Sequence, residues 1–249
     1  KRTDGRFADA LELLNAGKIV LTDESHVSVD PFPILHHEDY RYHKIEEDVT
    51  KESQAVVIAI MDVSASMTPL KKYFARTMIF WLVNFLRQIY KRVDIRFIAH
   101  DTEARIVDEE NFFRVGESGG THCYAGYELA NSLIETDYPI SQWNVYVWHF
   151  SDGEDGNTAR SMEEARRLFE RKINMFGYGE ICPEKEYWPP ELLKQFIKTF
   201  DLKEVKEEKD FTVHVSFDEK YPFLGVAMQE KKHIWQALKA FLKRDRWSS

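Results

Sequence analysis

The stretch AVVIAIMDVSAS, residues 55–66, joins a strand pattern to a cluster of oxygen-bearing side chains. Residues 55–61 are all apolar, and a continuous apolar run of this length is typical of a strand buried on both faces in a parallel sheet. The run stops at Asp62, and Ser64 and Ser66 follow at alternate positions. The stretch therefore predicts a central strand that ends in a carboxylate and two hydroxyl groups.

Strand patterns alternate with helical patterns along the chain that follows. Strands are predicted at 93–100, 104–107, 144–150, 173–181 and 211–217, and helices at 70–91, 124–135, 158–171, 189–200 and 230–243. Strands that alternate with helices of this length indicate a doubly wound α/β fold. We therefore expect a mostly parallel central sheet flanked by helices.

Three finer expectations concern single elements of this fold. Thr158 is expected to cap the helix at 158–171. Ile89 is expected to belong to the buried stripe of the helix at 70–91, because it follows the helical spacing of its apolar residues. The charged run EVKEEKD, 204–210, is expected to be a solvated loop.

The N-terminal residues differ in pattern from the rest. A short helix is predicted at 5–16, whereas residues 20–54 are polar and show no sustained period. Residues 1–54 carry 7 Lys/Arg against 12 Asp/Glu, a net charge of -5. We therefore expect two parts, an acidic lead-in segment at 1–54 and an α/β domain at 55–249.

Composition narrows the class of protein. The chain has 249 residues, of which 43% are hydrophobic, as in globular proteins. Its net charge of -8 and the lack of a basic stripe give no reason to expect nucleic-acid binding. It has no apolar run near 18 residues and no secretory signal pattern, so a cytoplasmic, soluble protein is expected. Its two cysteines, Cys123 and Cys182, cannot form a disulfide framework and lack metal-finger spacing.

Polar stretches occur at or near the ends of the predicted strands. Besides the stretch at 62–66, a glycine-rich loop at 116–121 ends in Thr121, and the stretch SDGEDG at 151–156 follows the strand at 144–150. In an open parallel sheet, ligands bind at the carboxyl ends of the strands. The three stretches are therefore expected to meet at one edge of the sheet.

The side chains of these stretches suit a hard divalent cation such as Mg²⁺, which prefers oxygen ligands. Ser64 and Ser66 are expected to bind the ion directly, and Asp62 to hold a metal-bound water or orient a serine. Thr121 and Asp152 are expected to complete the shell. Few of these direct ligands are anionic, so an acidic side chain of a partner is a natural further ligand.

These residues resemble the metal-ion-dependent adhesion site of von Willebrand factor A domains, through Asp62-x-Ser64-x-Ser66, Thr121 in a glycine-rich loop, and Asp152-Gly. The resemblance covers about 55 to 245. It implies that the five residues form a Mg²⁺ or Mn²⁺ site, with Ca²⁺ a further possibility, and that the ligand supplies an acidic side chain.

A narrower resemblance rests on MDVSASM, FIAHDTEA, EENFF, ESGGT and WNVYVWHFSDG. These segments look like the bacterial YeaH/YhbH-type proteins, one branch of which is associated with sporulation. The resemblance implies a cytosolic AAA+ partner, in particular a PrkA-type serine protein kinase.

The sequence also departs from the adhesion-site pattern. Val63 and Ala65 stand where many A domains have small residues, often glycine, and the bulky stretch at 122–124 follows Thr121. Glu154 and Asp155 add two carboxylates beside the predicted site. They would repel an acidic ligand, change the metal preference or simply face water.

The favoured interpretation is a non-enzymatic, metal-dependent protein-interaction module that acts as an adaptor or regulator. One alternative is a metal-assisted hydrolase, and another is a structural subunit whose metal only stabilises the loops. A serine nucleophile would require a base such as His100 or His149 within reach of Ser64 or Ser66. Helix capping by Ser66 or Thr121 and an Asp152-Gly turn are the alternatives to metal binding.

Overall fold

The computed structural model describes residues 54–114, 120–183, 191–208, 211–215 and 221–242. The chain divides into residues 1–49 and 50–249, and all described residues belong to the second part. The predicted helix at 5–16 and the rest of the lead-in segment before residue 54 lie outside the described residues. The predicted domain boundary after residue 54 stays a prediction.

The described residues contain one eight-stranded sheet. Its strands are β1 (Gln54–Asp62), β2 (Arg92–His100), β3 (Ala104–Val107), β4 (Asn144–Ser151), β5 (Met175–Ile181), β6 (Lys203–Glu208), β7 (Phe211–Val215) and β8 (Phe223–Met228). Their order in the sheet is β3-β2-β1-β4-β5-β8-β7-β6. The run from β2 to β8 is parallel, whereas β3, β7 and β6 pair antiparallel at the two edges.

Helices cover both faces of the sheet. They are α1 (Pro69–Ile89), α2 (Glu109–Arg114), α3 (Cys123–Thr136), α4 (Thr158–Glu170), α5 (Leu192–Phe200) and α6 (Lys231–Phe241). This arrangement confirms the predicted doubly wound α/β fold. Within the part of the chain that the structure describes, no helix has the length and apolar character needed to cross a membrane.

Strand β1 supplies both hydrophobic cores, because successive side chains of a strand point to opposite faces. Its odd-numbered residues from Ala55 to Met61 pack with apolar residues of α1 and α6. Its even-numbered residues from Val56 to Ile60 pack with α3, α4 and α5. All seven side chains are fully buried, which explains why the strand reads as one continuous apolar run.

The ends of β1 and β4 mark the point where the chain changes direction across the sheet. From β1 the chain passes to β2 on one side, whereas β4, the other neighbour of β1, leads on to β5 on the opposite side. Such a topological switch point leaves a crevice at the carboxyl ends of the two strands, where α/β proteins bind ligands. Asp62 ends β1 and Asp152 directly follows β4.

Two expectations about helices are wrong. Asn157, and not Thr158, caps α4, because its side chain accepts a hydrogen bond from the backbone N–H of Arg160. Ile89 is 50% exposed, because the buried stripe of α1 ends one turn earlier, at Leu86.

Two expectations about strands also need correction. The described part of the run at 204–210, which was predicted as a loop, is residues 204–208, and these belong to β6, an edge strand of the sheet. Charged side chains are common on edge strands because they oppose pairing with another chain. Strand β8 was not predicted, although it lies between β5 and β7. Its apolar run is short and contains Gly225, where a Cβ atom would come within 2.5 Å of a methyl carbon of Leu193.

Candidate functional site

The loop after β1 holds three of the predicted ligands close together. Asp62 is fully buried, and its Oδ1 atom accepts a hydrogen bond of 2.8 Å from the backbone N–H of Ser64. The hydroxyl groups of Ser64 and Ser66 are 3.0 Å apart. The Oδ2 atom of Asp62 is buried without a hydrogen-bond partner among the described residues. This oxygen is therefore available to a cation.

Burial also changes the acidity of Asp62. Removal from water, with a smaller contribution from the charges of Asp152 and Glu154, raises the pKa of its carboxyl group to about 7, against the opposing hydrogen bonds from Ser64. A bound cation would favour the ionised form and lower this pKa. The site thus gathers negative charge that a cation would stabilise.

Lys71, on the first turn of α1, contacts this site, and sequence reasoning missed it. Its Nζ atom lies 2.9 Å from Oδ2 of Asp152 and donates a hydrogen bond of 2.9 Å to the carbonyl oxygen of Ser66. Both charged side chains are nearly completely buried. The ammonium group therefore neutralises one of the two carboxylates and ties the loop after β1 to the loop after β4.

A signal for Lys71 was present in the helical spacing of α1. Lys71 precedes Phe74 and Met78 by three and seven positions, which places it on the buried face of the helix. A lysine on a buried stripe near a predicted carboxylate is a candidate for an ion pair, since lysine is almost never fully buried without a partner.

Thr121 is buried, and it lies on a loop that is bonded to the loop after β4. Its carbonyl oxygen accepts a hydrogen bond of 2.7 Å from the backbone N–H of Gly156. Two residues later, the backbone N–H of Cys123 donates to Oδ1 of Asp155 at 3.1 Å. The preceding part of the predicted glycine-rich loop, 116–119, lies outside the described residues.

The structure decides several of the alternatives for these residues. Thr68, and not Ser66, caps α1. Residue 122 occupies the N-cap position of α3, so Thr121 does not cap that helix. Asp152 does make a local turn contact, because its Oδ1 atom accepts from the backbone N–H of Glu154 at 3.4 Å. This contact leaves Oδ2 of Asp152 to Lys71.

The two added acidic residues have different surroundings. Glu154 is exposed, and Asp155 is half-buried with its carboxylate turned to the start of α3. Asp155 therefore acts in place of a side-chain cap on that helix, where a negative charge is favourable.

Glu180, near the end of β5, is connected by hydrogen bonds to the loop after β4. Its Oε2 atom accepts hydrogen bonds of 2.9 Å from the hydroxyl of Tyr178 and from the backbone N–H of Leu193. The hydroxyl of Tyr178 in turn lies 3.0 Å from the hydroxyl of Ser151. The Ser151 hydroxyl accepts a hydrogen bond from the backbone N–H of Gly153.

Gly153 is required in this loop for two reasons. Its φ angle is 90°, which residues with a side chain rarely adopt, and a Cβ atom would lie 2.6 Å from Oε2 of Glu180. The buried carboxyl group of Glu180 thus shapes the backbone next to Asp152. Sequence reasoning missed Glu180, because a single acidic residue in an apolar strand does not reveal its partners.

The histidines do not contact the serines in a way that would support a nucleophile. The Nε2 atoms of His100 and His149 are 2.9 Å apart, and Nδ1 of His149 is 2.8 Å from the hydroxyl of Tyr127. The hydroxyl of Ser64 instead contacts that of Ser66 at 3.0 Å. Neither of these two histidines is therefore in place as a base for the serines.

The loop after β1 brings hydroxyl and carboxylate oxygens to the switch point, and the loop after β4 brings a further carboxylate. The loop that carries Thr121 is hydrogen-bonded to the loop after β4. Such a donor set fits a hard divalent cation, and the buried, unbonded Oδ2 atom of Asp62 fits it as well. The ammonium group of Lys71 already lies against Asp152, so a cation that used this carboxylate would have to displace it.

Comparison with known proteins identifies the family. The family model described as "Protein of unknown function (DUF444)" matches residues 15–245. A UPF0229 protein of Ruminiclostridium cellulolyticum is 45% identical over 165 residues, which are 66% of this chain and 41% of that protein. UPF0229 protein BH1031 of Halalkalibacterium halodurans is 38% identical over 213 residues, 85% of this chain and 49% of that protein. The chain thus spans about half the length of these relatives or less.

Solved structures with a similar fold are von Willebrand A domains. The SpRpn10 VWA domain has a TM-score of 0.52 at 9% identity and covers 75% of this chain and 94% of its own. A von Willebrand factor type A protein from Catenulispora acidiphila has a TM-score of 0.50 at 14% identity, over 76% of this chain and 42% of its own. At such low identities the likeness concerns the fold alone. The chain belongs to the DUF444 family and has a von Willebrand A-like fold.

Proposed function

We propose that this chain is a metal-dependent protein-interaction module of a bacterial protein. In this proposal Asp62, Ser64, Ser66, Thr121 and Asp152 hold Mg²⁺ or Mn²⁺, and an acidic side chain of the partner completes the metal shell. The observation that carries the proposal is the buried Oδ2 atom of Asp62, which has no hydrogen-bond partner among the described residues and belongs to a loop whose two serine hydroxyls are 3.0 Å apart. The von Willebrand A-like fold supports an interaction role, because many domains of this fold bind proteins.

The proposed partner follows from the resemblance to the YeaH/YhbH-type proteins. It is a cytosolic AAA+ protein, in particular a PrkA-type serine protein kinase, and the sporulation-associated branch suggests the cellular setting. The chain would act as its adaptor or regulator. The exposed position of Glu154 allows this carboxylate to tune which acidic partners approach the metal.

Loss of the two serine hydroxyls tests the metal and the partner together. We expect a Ser64→Ala/Ser66→Ala variant to lose Mn²⁺ binding, measured by the electron paramagnetic resonance signal of free Mn²⁺, because two direct ligands are removed while the Lys71–Asp152 pair is kept. The same variant should fail to retain the partner from a lysate of the bacterium that encodes the chain. The matched control is Ser132→Ala/Ser141→Ala, which changes two exposed serines.

The outcomes of this experiment separate the alternatives. A partner retained by the wild type with Mn²⁺ and lost with EDTA supports the interaction module. A partner retained equally with EDTA would make the metal purely structural. A wild-type chain that binds no Mn²⁺ would remove the oxygen site altogether.

Lys71 should compete with the metal for Asp152. Because its ammonium group contacts Oδ2 of Asp152, we expect Lys71→Met to tighten Mn²⁺ binding by about tenfold or more, equivalent to about 1.4 kcal/mol. Calorimetric titration with Mn²⁺ measures the change. The charge-matched control is Lys91→Met, on an exposed residue outside the site. Equal affinities of the two variants would contradict a competition at Asp152.

A further inference from the structure

Beneath the oxygen site, three buried side chains with nitrogen and sulfur donors converge from three different elements. His100 ends β2, His149 lies on β4, and Cys123 is the first residue of α3. All three are fully buried, and one donor atom from each lies within 4.8 Å of the others. They are 23 and 26 positions apart in the sequence, so no short motif connects them.

The two histidines are held by the register of the sheet. His100 is paired with Asp62 across β1 and β2, and His149 with Ile60 across β1 and β4. Their Nε2 atoms therefore face each other at 2.9 Å. The hydroxyl of Tyr127 lies 2.8 Å from Nδ1 of His149 and fixes the orientation of that ring. A histidine that ligates a metal usually has its other ring nitrogen held in this way.

The hydrogen bonds among Tyr127, His149 and His100 allow two assignments of the ring protons, and neither involves Nδ1 of His100. If Tyr127 donates to Nδ1 of His149, Nε2 of His149 donates to His100, and His100 keeps a proton on Nδ1. If His149 donates to Tyr127 instead, Nε2 of His100 donates to His149, and Nδ1 of His100 is an acceptor. The structure gives Nδ1 of His100 no hydrogen-bond partner among the described residues, although buried polar atoms normally have one. The pair thus holds a buried ring nitrogen close to the Asp101 backbone that has no geometrically good hydrogen bond.

The surroundings favour a cation at this place. Both rings are fully buried, and a hydrogen bond between their Nε2 atoms requires one of these nitrogens to be an unprotonated acceptor, the form in which histidine binds metals. Burial, followed by the charges of Asp155, Asp62, Asp152 and Glu180, raises the pKa of the Cys123 thiol well above its ordinary value, so the thiolate forms only with a cation bound beside it. A positive ion among these carboxylates would relieve their mutual repulsion.

We propose that His100, Cys123 and His149 form a second metal site for a divalent transition ion of the Zn²⁺ class. The ligands are Nε2 of both histidines and Sγ of Cys123, and they suit such an ion better than Mg²⁺, which prefers oxygen. Both rings carry their proton on Nδ1 in the bound form, so the pair neither gains nor loses a proton. The Cys123 S–H bond is replaced by a bond from sulfur to the metal, and one proton passes to solvent.

The two nitrogen ligands need only a small adjustment for this ion, whereas the Cys123 thiol, which donates to the carbonyl oxygen of Glu154 at 3.7 Å, has to turn. Tetrahedral coordination with bonds of roughly 2.0–2.1 Å to nitrogen places the two Nε2 atoms roughly 3.3 Å apart, compared with 2.9 Å in the structure. The rings therefore separate slightly, and the thiol rotates toward them from the first turn of α3. Three protein ligands leave the fourth position to a small ligand such as water.

Cobalt binding tests the site, since Co²⁺ replaces Zn²⁺ and reports its ligands by absorption. The full chain would be titrated with Co²⁺ when folded and also refolded in its presence, because the donors are buried. We expect one equivalent of the bound Co²⁺ to show a thiolate-to-cobalt charge-transfer band and the strong visible bands of tetrahedral cobalt, both lost on displacement by Zn²⁺. X-ray absorption of the wild-type complex should show one sulfur ligand at roughly 2.3 Å.

Two cysteine variants identify which residue supplies the sulfur ligand of the bound cobalt. Cys123→Ser should lose the charge-transfer band, whereas Cys182→Ser should keep it, because Cys182 lies elsewhere, with its thiol 3.5 Å from the carbonyl oxygen of Asp152. Ser64→Ala/Ser66→Ala should also keep the band, which separates this site from the oxygen site. A wild-type protein without a cobalt–sulfur bond in the absorption spectrum, or a band that survives in Cys123→Ser, would overturn the proposal. The wild-type measurement decides the matter even if Cys123→Ser does not fold.

Discussion

Asp152→Asn should lower the free energy of unfolding by roughly 3–5 kcal/mol when divalent ions are removed with EDTA. The substitution keeps the shape of the side chain but removes the negative charge that the Lys71 ammonium faces at 2.9 Å. Both side chains are almost completely buried, and removal of one partner of a buried ion pair leaves a charge that water cannot solvate. Urea unfolding followed by circular dichroism measures the loss.

The control for this prediction is the double variant Lys71→Met/Asp152→Asn. It removes both charges, and buried ion pairs replaced by neutral groups of similar size often cost little. We therefore expect the double variant to recover most of the stability that Asp152→Asn loses. A loss below about 1 kcal/mol in the single variant, the range of exposed ion pairs, would show that the pair is open to solvent.

Glu180→Gln should remove a large part of the pH dependence of stability. Burial and, to a smaller degree, the charge of Asp152 raise the pKa of Glu180 from its ordinary value of 4.5 to about 7. The hydrogen bonds from Leu193 and Tyr178 and the charge of Lys194 oppose it. The folded state therefore holds this proton more tightly than the unfolded state does.

The sign of the effect follows from this difference in proton binding. Stability falls as the pH rises from about 4.5 to about 7, because the unfolded chain loses the proton more readily over this range. Glu180→Gln has no such proton, so its stability relative to the wild type should rise by about 3 kcal/mol between pH 4 and pH 8, at about 1.4 kcal/mol for each tenfold difference in proton affinity.

Urea unfolding of both proteins at several pH values, in EDTA, checks this prediction. The comparison with the wild type cancels other groups that titrate in the same range, including Asp62. Glu170→Gln, on an exposed residue of α4, is the matched control and should follow the wild-type curve. A constant difference between Glu180→Gln and the wild type across the pH range would mean that Glu180 stays ionised in the folded protein.

The fold could be predicted because its central strand and the helix that follows are recognisable from residues close together in the sequence. The apolar run of β1 and the helical stripe of α1 are visible in short windows, and their alternation with later elements defines the layers. Strand β8 could not be predicted in this way, since its six residues contain a glycine that is needed for close contact with Leu193. The charged edge strand β6 was missed for a related reason, because its pairing with β7 is a tertiary interaction.

The sequence by itself determined that Asp62, Ser64 and Ser66 follow a buried strand, and that Asp152 follows another. The carboxyl ends of parallel strands share one edge of a sheet, so these residues meet whatever the details of packing. Only the tertiary structure decided that Lys71 lies against Asp152, because a lysine can reach several partners from the start of a helix. Likewise, His100, Cys123 and His149 meet only through the strand register and the docking of α3, since contacts between residues far apart in the chain leave no periodic signal in the sequence.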